Sequence, residues 1–287
     1  MTHQIEDSST GRRPTTGAPA SSPGQPAADD ASQGHNLTPG PGQHGGYSAA
    51  TADAYPHTET LPIRQYAEIP TLLNALGNLQ GASVLDLACG TGILSRVLAD
   101  HGATVVGVDA SQDMIHQARA STGATAGDLK YLLHDIATMP HLGTFDAITA
   151  GWLLNHAPTR DHLNGLCHRV AEHLGPGRRF VATLLNPHYD PTRPLDDRYG
   201  AIPHLPSTLS DGDAYTVTLH LDHALHLTNY FWSDSTCRQA LRHAGFAHVN
   251  VRPWRPNADG IRILGERWWD PWISNPAAVI VTAIKNR

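Results

Sequence analysis

One stretch constrains the fold more than any other, because an apolar strand runs directly into a glycine turn and then a helix. Ser83–Leu87 is apolar apart from Asp86, as expected of a buried parallel strand, and it is followed by Gly90 and Gly92. Residues without side chains let the backbone turn sharply and approach a ligand closely. Apolar side chains at helical spacing continue over Ile93–Asp100. The stretch therefore predicts half of a nucleotide-binding unit, with Asp86 near a ligand crevice.

A second strand end supplies the matching acid. The β-branched run 104–108 ends in Asp109, about twenty residues beyond the glycine turn, where a carboxylate accepts hydrogen bonds from both hydroxyls of a ribose. A dinucleotide-binding turn has a third glycine where Ser95 stands. The two strand ends therefore predict a site for an adenosyl compound, and a dinucleotide site is the weaker interpretation.

These residues resemble the first two motifs of the class I S-adenosylmethionine-dependent methyltransferases. The first motif is Asp-x-x-x-Gly-x-Gly at Asp86, Gly90 and Gly92, and the second is Gly-Val-Asp-Ala-Ser at 107–111. The resemblance implies an α/β, Rossmann-like fold with a mostly parallel seven-stranded sheet, helices on both faces and an inserted antiparallel hairpin lid. It also implies S-adenosyl-L-methionine as the cofactor, with the glycine turn under its methionine part and Asp109 at its ribose.

The resemblance extends to further cofactor-binding residues. Asp135 follows a predicted strand at 129–134, where the family places an acid or amide beside the adenine amino group. The toxoflavin-synthase-like group of small-molecule methyltransferases also presents Tyr and Arg ahead of the first strand, and Tyr55, Arg64 and Tyr66 are the matching candidates here. A guanidinium can bind the carboxylate of the methionine part bidentately. Alternatively, Arg64 is a solvated helix residue and the tyrosines only pack. The predicted cofactor-binding residues are Tyr55, Arg64, Asp86, Ala88, Gly90, Gly92, Asp109, Ala110, Met114, Asp135, Ile136 and Gly151.

The chain of 287 residues divides into a tail and one domain. Residues 1–46 are rich in small and polar residues and predict a disordered N-terminal tail, since they cannot bury enough apolar surface. The methyltransferase domain is predicted over 47–287, with a lid and substrate insertion at 187–232. Its predicted strands are 83–87, 104–108, 129–134, 145–151, 179–185, 215–221, 225–231, 249–253 and 277–284. Its predicted helices lie within 62–79, 93–100, 111–121, 160–174 and 233–244.

Composition limits the partners. The net charge is -6, and the chain has no Lys/Arg patch interleaved with aromatic residues, which argues against a nucleic-acid surface. No apolar run approaches the roughly 18 residues of a membrane span, and no secretory signal is recognisable. Cys89, Cys167 and Cys237 are odd in number and widely spaced, as expected of reduced thiols. We therefore expect a cytoplasmic monomer or homodimer that acts on a small molecule, with no nucleic-acid or membrane partner.

Two histidines are candidates for a catalytic base. The sulfonium already supplies an electrophile, so a base is needed only if the methyl acceptor must lose a proton. His156 follows the fourth predicted strand, where the transferring methyl group should lie, and His188 follows the fifth. The alternative is that each histidine simply packs or forms hydrogen bonds in the pocket wall.

The second half of the chain gives less information about the substrate. The segment 152–157, the hairpin and Trp-Asp-Pro-Trp at 269–272 are similar to small-molecule methyltransferases of the toxoflavin-synthase-like group, which often has Tyr where His156 stands. This similarity implies methyl transfer to N, O or C of a small metabolite, in specialised or antibiotic biosynthesis. A non-catalytic S-adenosylmethionine-binding or scaffolding protein is the alternative, and a nicotinamide oxidoreductase is weaker still.

Three local patterns have competing interpretations. Asn-Pro-His-Tyr at 186–189 resembles a motif of nucleic-acid amino-methyltransferases, but it follows the wrong strand and predicts a loop start. The histidines at 220, 223 and 226 could suggest a metal, although neighbouring hairpin positions point to opposite faces, so we predict a solvated turn and no metal site. Trp268, Trp269 and Trp272 predict either an aromatic wall for a flat substrate or the apolar body of a closing hairpin.

Overall fold

The computed structural model describes residues 49–123, 128–221 and 224–287, and the predicted tail and His223 lie outside these ranges. The strands are β1 Ser83–Leu87, β2 Thr104–Asp109, β3 Leu129–Leu133, β4 Phe145–Gly151, β5 Leu174–Leu185, β6 Ala201–His204, β7 Ala214–Leu219, β8 Leu225–Tyr230, β9 Phe246–Pro253 and β10 Ala278–Lys285. The α-helices are α1 Ala49–Ala54, α2 Ile69–Leu76, α3 Ile93–Asp100, α4 Gln112–Ala120, α5 Arg160–Glu172, α6 Asp234–His243, α7 Ala258–Leu264 and α8 Glu266–Ser274. Irregular helical turns occupy Tyr55–Thr60, Arg64–Glu68, Leu153–His156 and Asp197–Tyr199.

The main sheet has seven strands in the order β3-β2-β1-β4-β5-β10-β9. Strands β1 to β5 pair in parallel, whereas β10 is antiparallel to both β5 and β9. The predicted mostly parallel seven-stranded sheet is therefore confirmed. The strand order reverses between β1 and β4, and ligands of such sheets bind at the carboxyl ends of the strands beside this reversal.

The central strand β1 is buried because helices cover both faces of the sheet. Leu85 and Leu87 belong to one hydrophobic cluster with residues of α5 and α6, whereas Val84 belongs to a second with residues of α2 and α3. Alternate residues of a strand point to opposite faces, so β1 needs apolar side chains on both. Its single acid, Asp86, therefore requires an internal partner.

Local signals set several element ends as predicted. Both α3 and β4 have the predicted bounds. The hydroxyl of Ser111 caps α4 by accepting the Met114 N–H at 3.3 Å, and Ser233 caps α6 by accepting the Thr236 N–H at 3.3 Å. These bonds satisfy amide groups that have no partner within the helix.

The predicted start of the fifth strand is wrong. Leu174 already pairs with Phe145, and the pairing of β4 with β5 resumes at Arg179, opposite Ala147. The Gly-Pro-Gly segment at 175–177 therefore forms an irregularity inside β5 instead of a loop before it. Glycine and proline are typical of such interruptions as well as of turns, and local sequence does not distinguish the two.

The interpretation of the tryptophan cluster as a closing hairpin is also wrong. Trp268, Trp269 and Trp272 lie on α8, and their rings surround Tyr199 at centroid distances of 4.9, 6.2 and 5.6 Å. Trp269 and Trp272 are buried there. Pro271 lies within the helix, where proline is normally unfavourable, so packing of the large rings outweighs local propensity.

The predicted hairpin is present as β7 and β8, and a third strand extends it. The small sheet has the order β6-β7-β8 and is antiparallel throughout. The third strand, β6, lies in the predicted insertion, ahead of its first predicted strand at 215–221. One apolar face of this sheet packs against Tyr55 and contains Leu219, Leu225 and Leu227. None of the helices within the described residues is long and apolar enough to cross a membrane.

Candidate active site

The turn after β1 has an unusual backbone. Gly90 and Gly92 have φ values of 53° and 75°, and Ala88 has a φ of 56° although it carries a side chain. Such positive φ angles are unfavourable for residues other than glycine, and strained positions of this kind cluster at functional sites. The turn is fixed by two bonds, from the Cys89 N–H to the Val108 carbonyl at 3.1 Å and from the Gly92 N–H to the Cys89 carbonyl at 3.0 Å.

Tyr131 of β3 fills the space beneath the turn. A Cβ atom on Gly92 would lie 2.2 Å from the Tyr131 hydroxyl oxygen, and one on Gly107 would lie 2.7 Å from the Tyr131 ring. Any larger residue at Gly92 therefore overlaps the tyrosine. Tyr131 thus explains why both positions are glycine, an explanation that no local sequence pattern provides.

Asp109 connects the end of β2 to the glycine turn. Its Oδ2 accepts the Gly90 N–H at 2.9 Å and its Oδ1 accepts the Ser111 N–H at 2.8 Å. Burial raises the pKa of Asp109, against the opposing effect of its backbone hydrogen bonds. The two carboxylate oxygens have about four lone pairs between them, so Asp109 retains capacity to accept from a ligand hydroxyl beside its backbone donors.

Asp86 is a buried acid, 1% exposed, that bridges β1 and α3. The Ser95 hydroxyl donates to its Oδ2 at 2.5 Å. Burial raises the pKa of Asp86 to about 7, the Ser95 bond partly offsets this, and the nearby Asp109 raises it further. Ser95, which stands where dinucleotide-binding turns have glycine, therefore has a structural role as the partner of Asp86.

The segment before α2 brings Tyr55 to the glycine turn and Arg64 to the ring of Tyr55. A Cβ atom on Gly90 would lie 3.9 Å from the Tyr55 ring, and the Arg64 guanidinium lies 5.4 Å from the centroid of that ring. Arg64 Nε pairs with Glu68 at 3.0 Å, and the Arg64 side chain is 14% exposed. Burial lowers the pKa of Arg64, but Glu68 and Tyr55 outweigh it, so the pKa lies above its usual value. Arg64 is a mostly buried, paired cation, not a solvated helix residue.

Glu68 extends this contact to the end of β4. Its second carboxylate oxygen accepts the Trp152 indole N–H at 3.2 Å. Trp152 has a φ of 65°, and its own backbone N–H donates to the Thr183 hydroxyl at 3.0 Å. Positive φ angles at the ends of both β1 and β4 place two strained turns beside the strand-order reversal. Glu68 is not among the predicted site residues, although its spacing of four residues from Arg64 is typical of a helical ion pair.

The remaining predicted cofactor-binding residues differ in exposure. Asp135 is partly buried, and its Oδ1 accepts the Ala137 N–H at 2.9 Å. Met114 is fully buried, and Ile136 packs into the cluster that contains Leu87. Ala110 and Gly151, the last two predicted residues, are partly exposed at strand ends. Asp135 and Gly151 lie at the carboxyl ends of β3 and β4, on the same edge of the sheet as the glycine turn after β1.

The two candidate bases have different environments. His156 ends the turn Leu153–His156 directly after β4, and burial together with the neighbouring His162 lowers the pKa of His156 to about 4. It is therefore neutral at physiological pH and a weak proton acceptor. His188 is exposed in the loop after β5, where its backbone N–H donates to the Asn186 side chain at 3.0 Å.

The histidines of the small sheet form a hydrogen-bonded group. His204 Nε2 and His226 Nδ1 lie 2.9 and 3.0 Å from the hydroxyl of Thr218, which lies between them on β7. Within the described residues, no set of three His, Cys, Asp or Glu side chains has the arrangement of a metal site.

Comparison with known proteins finds a family match in the middle of the chain. Residues 84–177 match a family described as "Methyltransferase domain". The ubiquinone biosynthesis O-methyltransferase of Coxiella burnetii (strain Dugway 5J108-111) is 34% identical over 112 residues, which cover 39% of this chain and 47% of that protein. The match thus spans about half the length of this curated relative. The resemblance to methyltransferases is confirmed, whereas the toxoflavin-synthase-like subtype stays a prediction.

Solved structures share the fold over more of the chain. An S-adenosylmethionine-dependent methyltransferase from Mesorhizobium loti aligns with a TM-score of 0.55 and 24% identity, over 75% of this chain and 96% of that one. The CcbJ methyltransferase from Streptomyces caelestis aligns with a TM-score of 0.55 and 18% identity, over 83% and 96%. These similarities confirm the predicted Rossmann-like α/β fold.

Proposed function

We propose that this chain, which carries a class I methyltransferase domain, is an enzyme that uses S-adenosylmethionine to methylate a small organic molecule. The observation that carries the proposal is the junction of β1 and β2, where Asp109 accepts the Gly90 N–H of a turn with positive φ angles. This junction combines close backbone approach with a fixed carboxylate beside the strand-order reversal, as binding of an adenosyl group requires.

The residues present fit such a cofactor. Asp109 would accept hydrogen bonds from the ribose hydroxyls of the cofactor. Asp135, just after β3, would accept one from the adenine amino group. Arg64 offers a mostly buried guanidinium beside Tyr55, whose ring approaches Gly90, and its charge suits a carboxylate. The glycine turn leaves no side chain between the backbone and the ligand.

The chemistry places few demands on the protein. When bound, S-adenosylmethionine supplies an electrophilic methyl group on a positively charged sulfur. The chain must hold an acceptor atom in line with that methyl group and exclude water. His156 lies directly after β4, and its low pKa makes it a neutral hydrogen-bonding group instead of a strong base. We therefore propose that His156 orients the acceptor by a hydrogen bond. For His188 we propose contact with the substrate and no part in proton transfer.

Several finer points belong to the same proposal. The relative from Coxiella burnetii is named for ubiquinone biosynthesis, which supports a small-molecule acceptor here. We propose that the insertion at 187–232 covers the substrate, because its small sheet packs on Tyr55 beside the glycine turn. Action in specialised metabolism, a cytoplasmic location, and a monomeric or dimeric state are further parts of the proposal.

Calorimetry and a methylation assay test the proposal in sequence. S-adenosylmethionine and S-adenosylhomocysteine should each bind the folded protein, whereas NAD should not. A panel of metabolites incubated with protein and S-adenosylmethionine should yield a product with a methyl-sized mass gain. Lack of binding by both adenosyl compounds would refute the proposal, and binding without any methyl transfer would favour a non-catalytic binding protein.

A further inference from the structure

Asn155 and Tyr215, which belong to none of the predicted cofactor-binding positions, join the end of β4 to the small sheet. Asn155 Nδ2 donates to the Tyr215 hydroxyl at 2.8 Å and to the Tyr230 carbonyl at 3.5 Å. The two side chains are almost fully buried, with 1% and 3% of their surface exposed. A carbonyl can only accept a hydrogen bond, so the Tyr230 carbonyl fixes the amide with its nitrogen toward the sheet.

Both groups retain hydrogen-bonding capacity after this contact is made. Asn155 Oδ1 is buried and has no hydrogen-bond partner among the residues that the structure describes. The Tyr215 oxygen accepts the Asn155 bond, so its own proton remains available to a further acceptor. Burial raises the pKa of Tyr215 above its usual value, so the phenol keeps that proton. The pair therefore presents one acceptor and one donor from neighbouring atoms.

A buried amide oxygen without a partner is unfavourable, and native proteins rarely retain one unless water or a ligand satisfies it. Asn155 directly precedes His156 in the turn after β4. It is also held against β7, the middle strand of the small sheet, through Tyr215. A molecule enclosed between the end of β4 and the small sheet would meet both groups at once.

We propose that Asn155 and Tyr215 determine substrate specificity by binding a hydroxyl or amino group of the small molecule. The assignment rests on the proposed function, because the methyl acceptor must lie beside the end of β4. Asn155 Oδ1 accepts the O–H or N–H proton of the substrate, and the Tyr215 hydroxyl donates to its lone pair. One hydroxyl or amino group fulfils both roles, whereas a fully methylated ether or tertiary amine has no proton for Asn155.

Matched probes in which methyl groups replace the O–H or N–H protons test the proposal. Protein saturated with S-adenosylhomocysteine is titrated with catechol and 1,2-dimethoxybenzene, and with aniline and N,N-dimethylaniline. We expect the wild type to bind catechol or aniline at least about tenfold more tightly than its methylated counterpart, since a buried acceptor left unpaired disfavours the latter. Asn155→Leu should reduce this preference to less than about threefold, and Tyr215→Phe should reduce it partially.

Controls separate recognition from folding. Thr216→Val alters the next residue of β7, which points to the opposite sheet face, and should leave the preference unchanged. Affinity for S-adenosylhomocysteine and thermal unfolding report whether each variant is folded. If Asn155→Leu does not fold, Tyr215→Phe decides, because it leaves the amide in place.

The outcomes distinguish the two proposals. A preference that persists in the folded variants, or no binding of any probe to the loaded wild type, overturns the assignment of Asn155 and Tyr215. Failure of the wild type to bind S-adenosylhomocysteine overturns the proposed function itself.

Discussion

At the scale of single residues, Gly92 has to be glycine for two reasons, its positive φ angle and its closeness to Tyr131. A matched variant at Gly81 separates the two. Gly92 and Gly81 have nearly equal φ values of 75° and 73°, but an added Cβ meets Tyr131 at 2.2 Å in the first case and nothing within 4 Å in the second. We expect Gly81→Ala to lower the free energy of unfolding by about 1–2 kcal/mol through backbone strain alone. Gly92→Ala should cost about 1–3 kcal/mol more through overlap.

Urea denaturation measures both costs. Because the nearest atom to the added Cβ is the hydroxyl of Tyr131, Tyr131→Phe in the Gly92→Ala background should recover part of the extra cost. Equal costs at Gly81 and Gly92 would show that Tyr131 moves aside freely.

Asp109 offers a test of ligand contact. Asp109→Ala removes the proposed acceptors for the ribose hydroxyls, so we expect it to weaken binding of S-adenosylhomocysteine by about 1–3 kcal/mol in calorimetry. Asp113→Ala, four residues further on and exposed in the first turn of α4, removes the same charge without touching the glycine turn and should have little effect. Unchanged affinity in folded Asp109→Ala would contradict the ribose role.

His156 predicts a pH dependence of stability. Its pKa is lowered from 6.5 to about 4 in the folded chain, so between these values the unfolded chain binds more protons. Its contribution to stability is therefore present above pH 6.5 and is lost as the pH falls toward 4. Urea denaturation should show the wild type losing up to about 2 kcal/mol more than His156→Gln between pH 7.5 and pH 5.

The difference between the wild type and His156→Gln isolates the contribution of His156 to the pH dependence of stability. Asp86, whose raised pKa acts in the opposite direction, is present in both and cancels in the difference. Parallel pH profiles for the wild type and His156→Gln would contradict the lowered pKa of His156.

At the scale of elements, Glu68 couples the segment before α2 to the end of β4. It binds the Arg64 guanidinium and the Trp152 indole with its two carboxylate oxygens. Glu68→Gln keeps an acceptor but removes the charge that orients Arg64, so we expect binding of S-adenosylhomocysteine to weaken by about 1–2 kcal/mol. Glu59→Gln breaks a more exposed pair with Arg96 and should change that affinity much less. Equal effects of the two variants in calorimetry would refute a specific role for Glu68.

Sequence predicts the elements whose signals are local. The bounds of β1 and α3 follow from an apolar run, two glycines and helical spacing, and all of these lie within 20 residues of one another. In contrast, α8 contains a proline and three tryptophans whose helical state depends on packing around Tyr199, about 70 residues earlier in the chain. Strand β6 is similar, because it exists by pairing with β7 across a long loop.

The candidate site likewise has a part that local sequence predicts and a part that it does not. Asp109 and the glycine turn have a characteristic spacing, so their proximity is predictable before the structure is known. The contact of Asn155 with Tyr215 joins residues 60 positions apart, and nothing in either neighbourhood indicates it. Periodicity gives elements and their faces, whereas side-chain contacts between distant elements depend on the three-dimensional packing.

At the scale of the whole molecule, the two sheets differ in how much apolar surface they bury. The main sheet is buried between two large clusters, whereas the small sheet contributes a limited cluster of three buried leucines against Tyr55 and its neighbours. Local opening of a protein begins where few apolar contacts are buried. We therefore expect the small sheet to detach at a lower free energy than that of global unfolding.

Leu227→Asp tests this difference by placing a charge in the leucine cluster. Hydrogen exchange read by mass spectrometry should accelerate in peptides from β6, β7 and β8, while peptides from β1 and β4 remain as protected as in the wild type. Thr228→Asp adds the same charge on the opposite face of β8 and should cause little acceleration, because alternate residues of a strand face opposite sides. Since the cluster packs on Tyr55, Leu227→Asp should also weaken binding of S-adenosylhomocysteine. Acceleration spread equally over both sheets would instead show that they unfold as one cooperative unit.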